Sequence, residues 1–150
     1  MTDQLHIPAD GTISFEIKGH EAELPECVSD ANWLKALVTV SSATLSASVD
    51  AFITTSDLHR FLGELKDGLS GSKQKATFAT DEGAIHLEIT IGGSNQCEVS
   101  GYLKEIGNVK AITTFALKID KGSLCRVTEN LESLVELYPV VTDDPPSPRR

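Results

Sequence analysis

Residues 84 to 119, AIHLEITIGGSNQCEVSGYLKEIGNVKAITTFALKI, carry the strongest structural pattern in this chain. In the first part of this stretch apolar residues occupy every second position, namely Ile85, Leu87, Ile89 and Ile91. The alternation returns in residues 97–104 and again in residues 115–119. A period of two residues is that of a β-strand with one buried and one solvated side. We therefore predict three consecutive antiparallel strands, a meander with one buried and one open face.

Four further segments have the composition of strands. They are residues 12–18, 33–40 and 45–53 and a weaker run at 76–80. The link Ser41-Ser42-Ala43 is short, so it favours a hairpin between the second and third of these strands. Gly101 interrupts a strand pattern, which indicates a bulge or the close approach of another backbone.

Two segments change to the helical period. The first places Leu58, Phe61, Leu62, Leu65 and Leu69 on one face, and the second does the same with Leu124, Val127, Leu131, Leu134, Val135 and Tyr138. Thr55 or Ser56 is the predicted N-cap of the first helix, which Gly68 or Gly71 ends. Asp120 is the predicted N-cap of the second helix, and Pro139 stops it.

These elements predict an α+β fold: a meander-rich antiparallel sheet of about six or seven strands, with two amphipathic helices packed on one face. The opposite face is predicted to be open and to carry Ser46, Ser48, Asp50, His86, Glu88, Thr90, Glu98, Ser100, Tyr102 and Lys104. Residues 1–141 are expected to form a single domain. Residues 142–150, which are rich in proline and charge, are expected to be a disordered tail. No internal repeat of fixed period is evident.

The composition is that of an ordinary globular protein. The chain has 150 residues, 40% hydrophobic and 23% charged, and no apolar run reaches the length of about 18 residues that spans a bilayer. The first residues lack the features of a signal peptide, so we expect a cytoplasmic protein without membrane contact. Three widely spaced cysteines, Cys27, Cys97 and Cys125, are typical of reduced thiols.

The net charge of −9 argues against binding to nucleic acid, whose phosphates would be repelled. Part of this charge lies between Gly19 and Asp30, where Glu21, Glu23 and Glu26 surround Pro25. We interpret this segment as an acidic surface loop. An acidic surface keeps a protein soluble and can also speed its encounter with a basic partner.

Catalytic signatures are absent from the sequence. There is no G-x-S-x-G motif, and Cys97 and Cys125 lie in apolar patterns typical of buried thiols. The residues His20, Glu21, Glu23 and Cys27 have no recognised metal-binding spacing. Asp50, Glu88 and Glu98 could pair for acid–base chemistry on the open sheet face, although a solvated polar surface is the commoner role of such residues. We predict no catalytic residue, cofactor or metal.

The order of landmarks suggests a known family. Asn32-Trp33 leads into a hairpin, a helix follows with Asp57-Leu58 and Phe61-x-x-x-Leu65, and the meander contains Val99-x-Gly101. The chain then continues through Phe115-x-Leu117-x-Ile119-Asp120, Leu124, Leu131-x-x-Leu134 and Tyr138-Pro139. Over Asn32 to Val140 this order resembles the WapI-type immunity proteins of bacteria. The resemblance implies a protein that binds and neutralises a cognate toxin domain.

The leading functional prediction is therefore a noncatalytic protein-binding module, an immunity protein with a toxin domain as partner. The predicted partner-binding residues are Tyr102, His86, Glu88 and Glu98 on the open sheet face and Glu21, Glu23 and Glu26 in the acidic loop. One alternative is a small-molecule-binding protein or enzyme with a pocket between helices and sheet. Another is a structural subunit that self-associates through a sheet edge, so both a monomer and a homodimer remain open.

Overall fold

The computed structural model describes residues 3–20, 33–80, 83–92, 95–104 and 112–139. The acidic residues Glu21, Glu23 and Glu26, Cys27, and the predicted tail 142–150 lie outside these ranges. The strands are β1 (Asp3–Pro8), β2 (Thr12–His20), β3 (Trp33–Ser41), β4 (Ser46–Thr54), β5 (Lys75–Ala79), β6 (Ile85–Ile91), β7 (Gln96–Lys104) and β8 (Ile112–Asp120). The helices are α1 (Thr55–Ser70), between β4 and β5, and α2 (Lys121–Leu137), after β8.

The strands form two antiparallel sheets instead of the predicted single one. The first sheet has the order β1-β2-β3-β4, and the second has the order β5-β6-β7-β8. The α+β class is confirmed, and the one sheet of six or seven strands is not. Alternation within a strand does not reveal which strands pair, so it could not show that β4 and β5, on either side of α1, belong to different sheets. Of the eight described strands, only β1 was not predicted, because it is short and ends at Pro8.

The two halves of the described chain repeat the same order, four antiparallel strands followed directly by a helix. α1 begins at the residue after β4, and α2 begins at the residue after β8. The sequence analysis found no repeat, because the halves share burial patterns and connectivity without sharing residue identities. The two halves thus have the same order of elements, and the residue types alone do not show this repeat.

The helices pack against each other and along sheet edges, in contrast to the predicted packing on one sheet face. α1 leaves the first sheet and lies beside β5, the edge strand of the second sheet. α2 leaves the second sheet and lies beside β1, the edge strand of the first. Each half therefore supplies the helix that covers an edge of the other half.

Side chains at the tenth position of each helix complete this coverage. Asn130 of α2 accepts a hydrogen bond from the backbone N–H of His6 at 2.9 Å and donates one to the carbonyl of Gln4, also at 2.9 Å. Glu64 of α1 accepts from the backbone N–H of Thr77 in β5 at 2.8 Å. These bonds give partners to the backbone groups that an edge strand leaves unpaired.

The core lies between the inner faces of the sheets and the two helices, and its buried side chains form one cluster. At its centre the ring of Phe78 in β5 meets Phe15 of β2 edge-to-face at 5.1 Å and Phe61 of α1 at 5.5 Å. Edge-to-face contacts at these distances are favourable beyond the area that they bury. One aromatic residue thus joins both sheets and a helix.

The helix stripes are buried as predicted, with a corrected cap for α1. Its N-cap is Thr54, one residue before the predicted Thr55 or Ser56. The Thr54 hydroxyl accepts from the N–H of Asp57, and the Asp57 carboxylate accepts from the N–H of Thr54, both at 3.1 Å. β4 stays extended through Thr54, so the helix starts without a linking turn. Gly71 ends α1 at φ 94°, and Asp120 caps α2, both as predicted.

Gly101 lies where two backbones approach closely, as its position in the strand pattern predicts. It pairs with Leu87 in β6 and Phe115 in β8. A Cβ atom added to Gly101 would collide with the carbonyl oxygen of His86. Since that oxygen belongs to a central strand, it cannot move away as a flexible side chain would.

We expect Gly101→Ala to lower the free energy of unfolding by more than about 1 kcal/mol, because the methyl group has no space. Gly63→Ala is the matched control: Gly63 is exposed within α1 with nothing near its added Cβ, and alanine there should stabilise by about 0.5–1 kcal/mol. Urea unfolding of both variants measures the difference. Equal effects of the two substitutions would contradict the close approach.

Removing the Asn130 amide should expose the edge of β1. Asn130→Ala is expected to cost about 1 kcal/mol of stability through the two lost hydrogen bonds and to speed hydrogen exchange at the His6 amide. Ser133→Ala, an exposed change on the same helix, is the control and should leave that amide unaffected. Unchanged exchange at His6 in Asn130→Ala would show that this edge is protected in another way.

The Asp120 cap of α2 makes the stability of the protein depend on pH. The Ser123 N–H, at 2.7 Å from the carboxylate, and the Ser123 hydroxyl hold the pKa of Asp120 below its usual 3.8. A lowered folded-state pKa stabilises above the unfolded-state pKa, and this contribution is lost as the pH falls through the folded-state value. Asp120→Asn keeps a capping oxygen without the charge. Thermal unfolding should therefore show a smaller loss of stability below about pH 4 in the variant than in the wild type.

Candidate interaction surface

The outer face of the second sheet is formed by the alternate side chains that point away from the core. β6 and β7 form its centre, and β5 and β8 flank them. The residues on this face are Lys75, Thr77, His86, Glu88, Thr90, Glu98, Ser100, Tyr102, Lys104, Ile112, Thr114, Ala116 and Lys118. The face is open because neither helix lies on it: α1 and α2 pack along the strand edges β5 and β1.

An aromatic pair lies on the two central strands of this face, towards one end of them. His86 and Tyr102 are direct cross-strand partners, and their rings stack with centroids 5.6 Å apart and planes inclined by 15°. Both side chains are half-buried. A stacked pair is held in place with little rotamer freedom left, while the imidazole nitrogens and the phenol hydroxyl stay available for hydrogen bonds.

Charged residues of both signs follow along the strands from the pair towards the other end of the face. Glu88 lies two residues along β6 from His86, and its carboxylate is 3.5 Å from the ammonium group of Lys75. Glu98 pairs in register with Lys118 of β8. The exposed ion pair of Lys75 with Glu88 contributes little to folding, so its two groups can exchange it for contacts with a partner. The face is therefore mixed in charge and not acidic, although the whole chain carries −9.

A shallow depression of about 540 Å³ adjoins the charged end of the face. Glu98, Gln96 and Lys118 line it together with Thr90, Gly92 and Cys97. Burial raises the pKa of the Cys97 thiol, against the smaller opposing effect of a hydrogen bond from the Gly92 backbone. A raised pKa keeps the thiol protonated, which lowers its reactivity as a nucleophile.

The structure brings together four of the predicted binding residues and separates others. Tyr102, His86, Glu88 and Glu98 form one contiguous patch on β6 and β7. Glu21, Glu23 and Glu26 lie outside the described residues. Ser46, Ser48 and Asp50 were expected on the same face, and they instead lie on β4 in the first sheet. The carboxylate of Asp50 therefore does not share a surface with Glu88 and Glu98.

A second surface escaped the sequence analysis. On the outer face of the first sheet, Phe52 of β4 is opposite Lys35 and diagonal to Trp33 and Leu37 of β3. Phe52 is 38% exposed, and Trp33 and Leu37 are half-buried. The available signal was a large apolar residue at a solvent-side position in each of two neighbouring strands. These residues make an apolar patch with charged neighbours, a composition found at protein interfaces.

The described interior offers little polar chemistry. Its buried polar residues lie in helices or in a turn, where local hydrogen bonds use several of them: Thr55, Asp57, Thr80, Ser123 and Thr128. In the described part of the chain, no three His, Cys, Asp or Glu side chains are close enough to hold a metal ion. No helix in these ranges has both the length and the apolar character to cross a membrane.

Comparisons with known proteins give one family. No curated protein matches the sequence. A chain described under "Crystal structures of trypanosoma bruciei MRP1/MRP2" aligns at a TM-score of 0.49 and 7% identity over 91% of this chain and 84% of that one, a likeness that supports no conclusion here. The model of the immunity protein WapI-like family matches residues 5–139, which span both sheets and both helices. This protein therefore belongs to the immunity protein WapI-like family.

Proposed function

We propose that this protein is a noncatalytic immunity protein that binds a cognate toxin domain and neutralises it by covering its active surface. The observation that carries the proposal is membership of the WapI-like family over residues 5–139. Occlusion requires a stable surface and no reactive group. The Cys97 thiol beside the depression is compatible with that requirement, since its pKa is raised. Cys125, whose apolar pattern predicted a buried thiol, is instead exposed on α2, away from this face.

The outer face of the second sheet is the surface that we assign to the toxin. Interfaces concentrate their binding energy in central aromatic residues enclosed by polar ones. The stacked pair of His86 and Tyr102 provides aromatic residues on the two central strands, and Glu88, Glu98 and Lys118 follow along the same face. Because antiparallel strands hold these side chains, few degrees of freedom are lost when the toxin binds.

The acidic character of the chain supports a basic toxin as the partner. Between His20 and Trp33 the sequence has four acidic residues and no basic one. We propose that Glu21, Glu23 and Glu26 attract the toxin over a distance, while the mixed charges of the sheet face fix its orientation. Charge complementarity of this kind raises association rates and depends on salt.

The test measures binding to the toxin domain encoded beside the gene of this protein. Tyr102→Ala with His86→Ala should weaken binding by at least about 30-fold, the effect of losing a central interface residue. Glu88→Lys with Glu98→Lys should weaken it by about tenfold or more through like-charge contacts. Isothermal titration calorimetry gives the dissociation constants, and growth of cells that express the toxin reports neutralisation.

Glu129→Lys with Glu136→Lys is the matched control. These two exposed residues on α2 undergo the same change of charge away from the sheet face, so binding should fall only by the loss of long-range attraction. If both charge-reversed pairs weakened binding equally, the assigned surface would be wrong. If the wild-type protein neither bound the toxin nor protected the cells, the proposed function itself would fail.

A further inference from the structure

The sheet edges of this protein are protected unequally. Helix side chains cover β1 and β5 through Asn130 and Glu64. At β8, Asp10 in the turn after β1 bonds to the outward backbone groups of Lys118. The Asp10 N–H donates to the Lys118 carbonyl at 2.9 Å, and the Asp10 carboxylate accepts from the Lys118 N–H at 3.0 Å. The remaining edge is β4, which pairs with β3 on its other side.

The free edge of β4 is formed by the backbones of Ser46, Ser48 and Asp50. In the hairpin, the Ser42 N–H donates to the Leu45 carbonyl at 2.7 Å, which identifies Ser42 and Leu45 as a hydrogen-bonded pair. Hydrogen-bonded positions alternate along an antiparallel ladder, so these three backbones point away from β3. Within the described part of the chain, their outward N–H and C=O groups have no partner.

β4 also lacks the features that discourage another strand from pairing with a sheet edge. Its register with β3 is continuous over nine residues without a bulge. It contains neither proline nor lysine, the residues that most often protect an edge. Its inner-face residues Ala47 and Val49 are only half-buried, whereas every apolar inner-face residue of β8 is buried. Hydrophobic area on β4 is therefore available to a neighbour.

The distribution of charge around β4 indicates which kind of molecule can pair with its edge. Between Lys35 and Asp57 the only charged residue is Asp50, so β4 lies in the least charged part of a chain that carries −9. Two acidic molecules repel each other on approach except where their surfaces are neutral. A basic partner would instead be drawn to the charged parts of the molecule. The uncharged edge consequently suits a second copy of the same chain.

We propose that β4 pairs antiparallel with β4 of a second copy, forming one eight-stranded sheet across a two-fold axis at Ser48. In this register Ser48 faces Ser48 of the other copy, and Asp50 faces Ser46. The two Asp50 carboxylates lie about 13 Å apart along the strands, beyond the screening length at physiological salt. Ala47 meets Val49 across the axis, which covers both half-buried side chains.

The pairing leaves the outer face of the second sheet uncovered, so it is independent of toxin binding. One pair of strands buries less area than a permanent dimer interface. We therefore expect a dimer that forms with increasing concentration, visible by sedimentation of the full chain between about 10 and 500 µM.

Ser48→Lys is the disrupting variant, because it places two like charges together at the axis. It should raise the dimer dissociation constant by at least about tenfold. Ser14→Lys is the matched control, since Ser14 lies in the same row two strands from the edge, and this variant should dimerise like the wild type. Thermal unfolding of both variants verifies that they fold.

Hydrogen exchange locates the interface. The Ser48 and Asp50 amides should exchange at least about tenfold more slowly at high than at low protein concentration, while the Thr114 and Ala116 amides of β8 should not change. A monomer at all concentrations, a dimer unaffected by Ser48→Lys, or protection that appeared on β8 would overturn the proposal. Protection of β4 that appeared only on addition of toxin would also overturn it and assign this edge to the toxin.

Discussion

Backbone groups at sheet edges need partners, and this constraint governs how the protein is assembled. Two four-stranded sheets have four edges, and each unpaired edge offers hydrogen-bonding groups to any passing strand. Here Asn130 and Glu64 each bond to an edge strand of the sheet in the other half of the chain. Because each half covers an edge of the other, neither half is complete alone. The rings of Phe78, Phe15 and Phe61 pack together in the core between the two halves.

This arrangement separates stability from recognition. The inner sheet faces and both helices supply the core, so the outer faces are free to carry residues that folding does not require. On the second sheet this freedom permits the stacked His86 and Tyr102 and their charged neighbours. On the first sheet it permits Phe52 and Trp33 to lie at solvent-facing positions. Membership of the immunity protein WapI-like family makes these outer faces the surfaces of interest, because the role that we propose is binding.

The outer face of the second sheet and the β4 edge differ in their chemistry. The mixed charges of the outer face suit a partner whose orientation must be selected, because charges that match favour one register and mismatched charges oppose others. The β4 edge has a single charge and a repeated pattern of small residues, so it suits a partner of the same pattern. The two proposed binding regions lie apart, since Tyr102 and Ser48 are on different sheets.

The sequence by itself determined the class of every element except β1, most strand and helix positions, the N-cap at Asp120, and the contiguity of His86, Glu88, Glu98 and Tyr102. These follow from local periods and local hydrogen bonds. Tertiary structure alone decided that there are two sheets and that Asp50 lies apart from Glu88, because alternation fixes which side of a strand is buried but not which strands pair. The repeat and the exchange of edge-covering helices were also invisible in sequence, since they depend on contacts such as that of Asn130 with His6, more than a hundred residues apart.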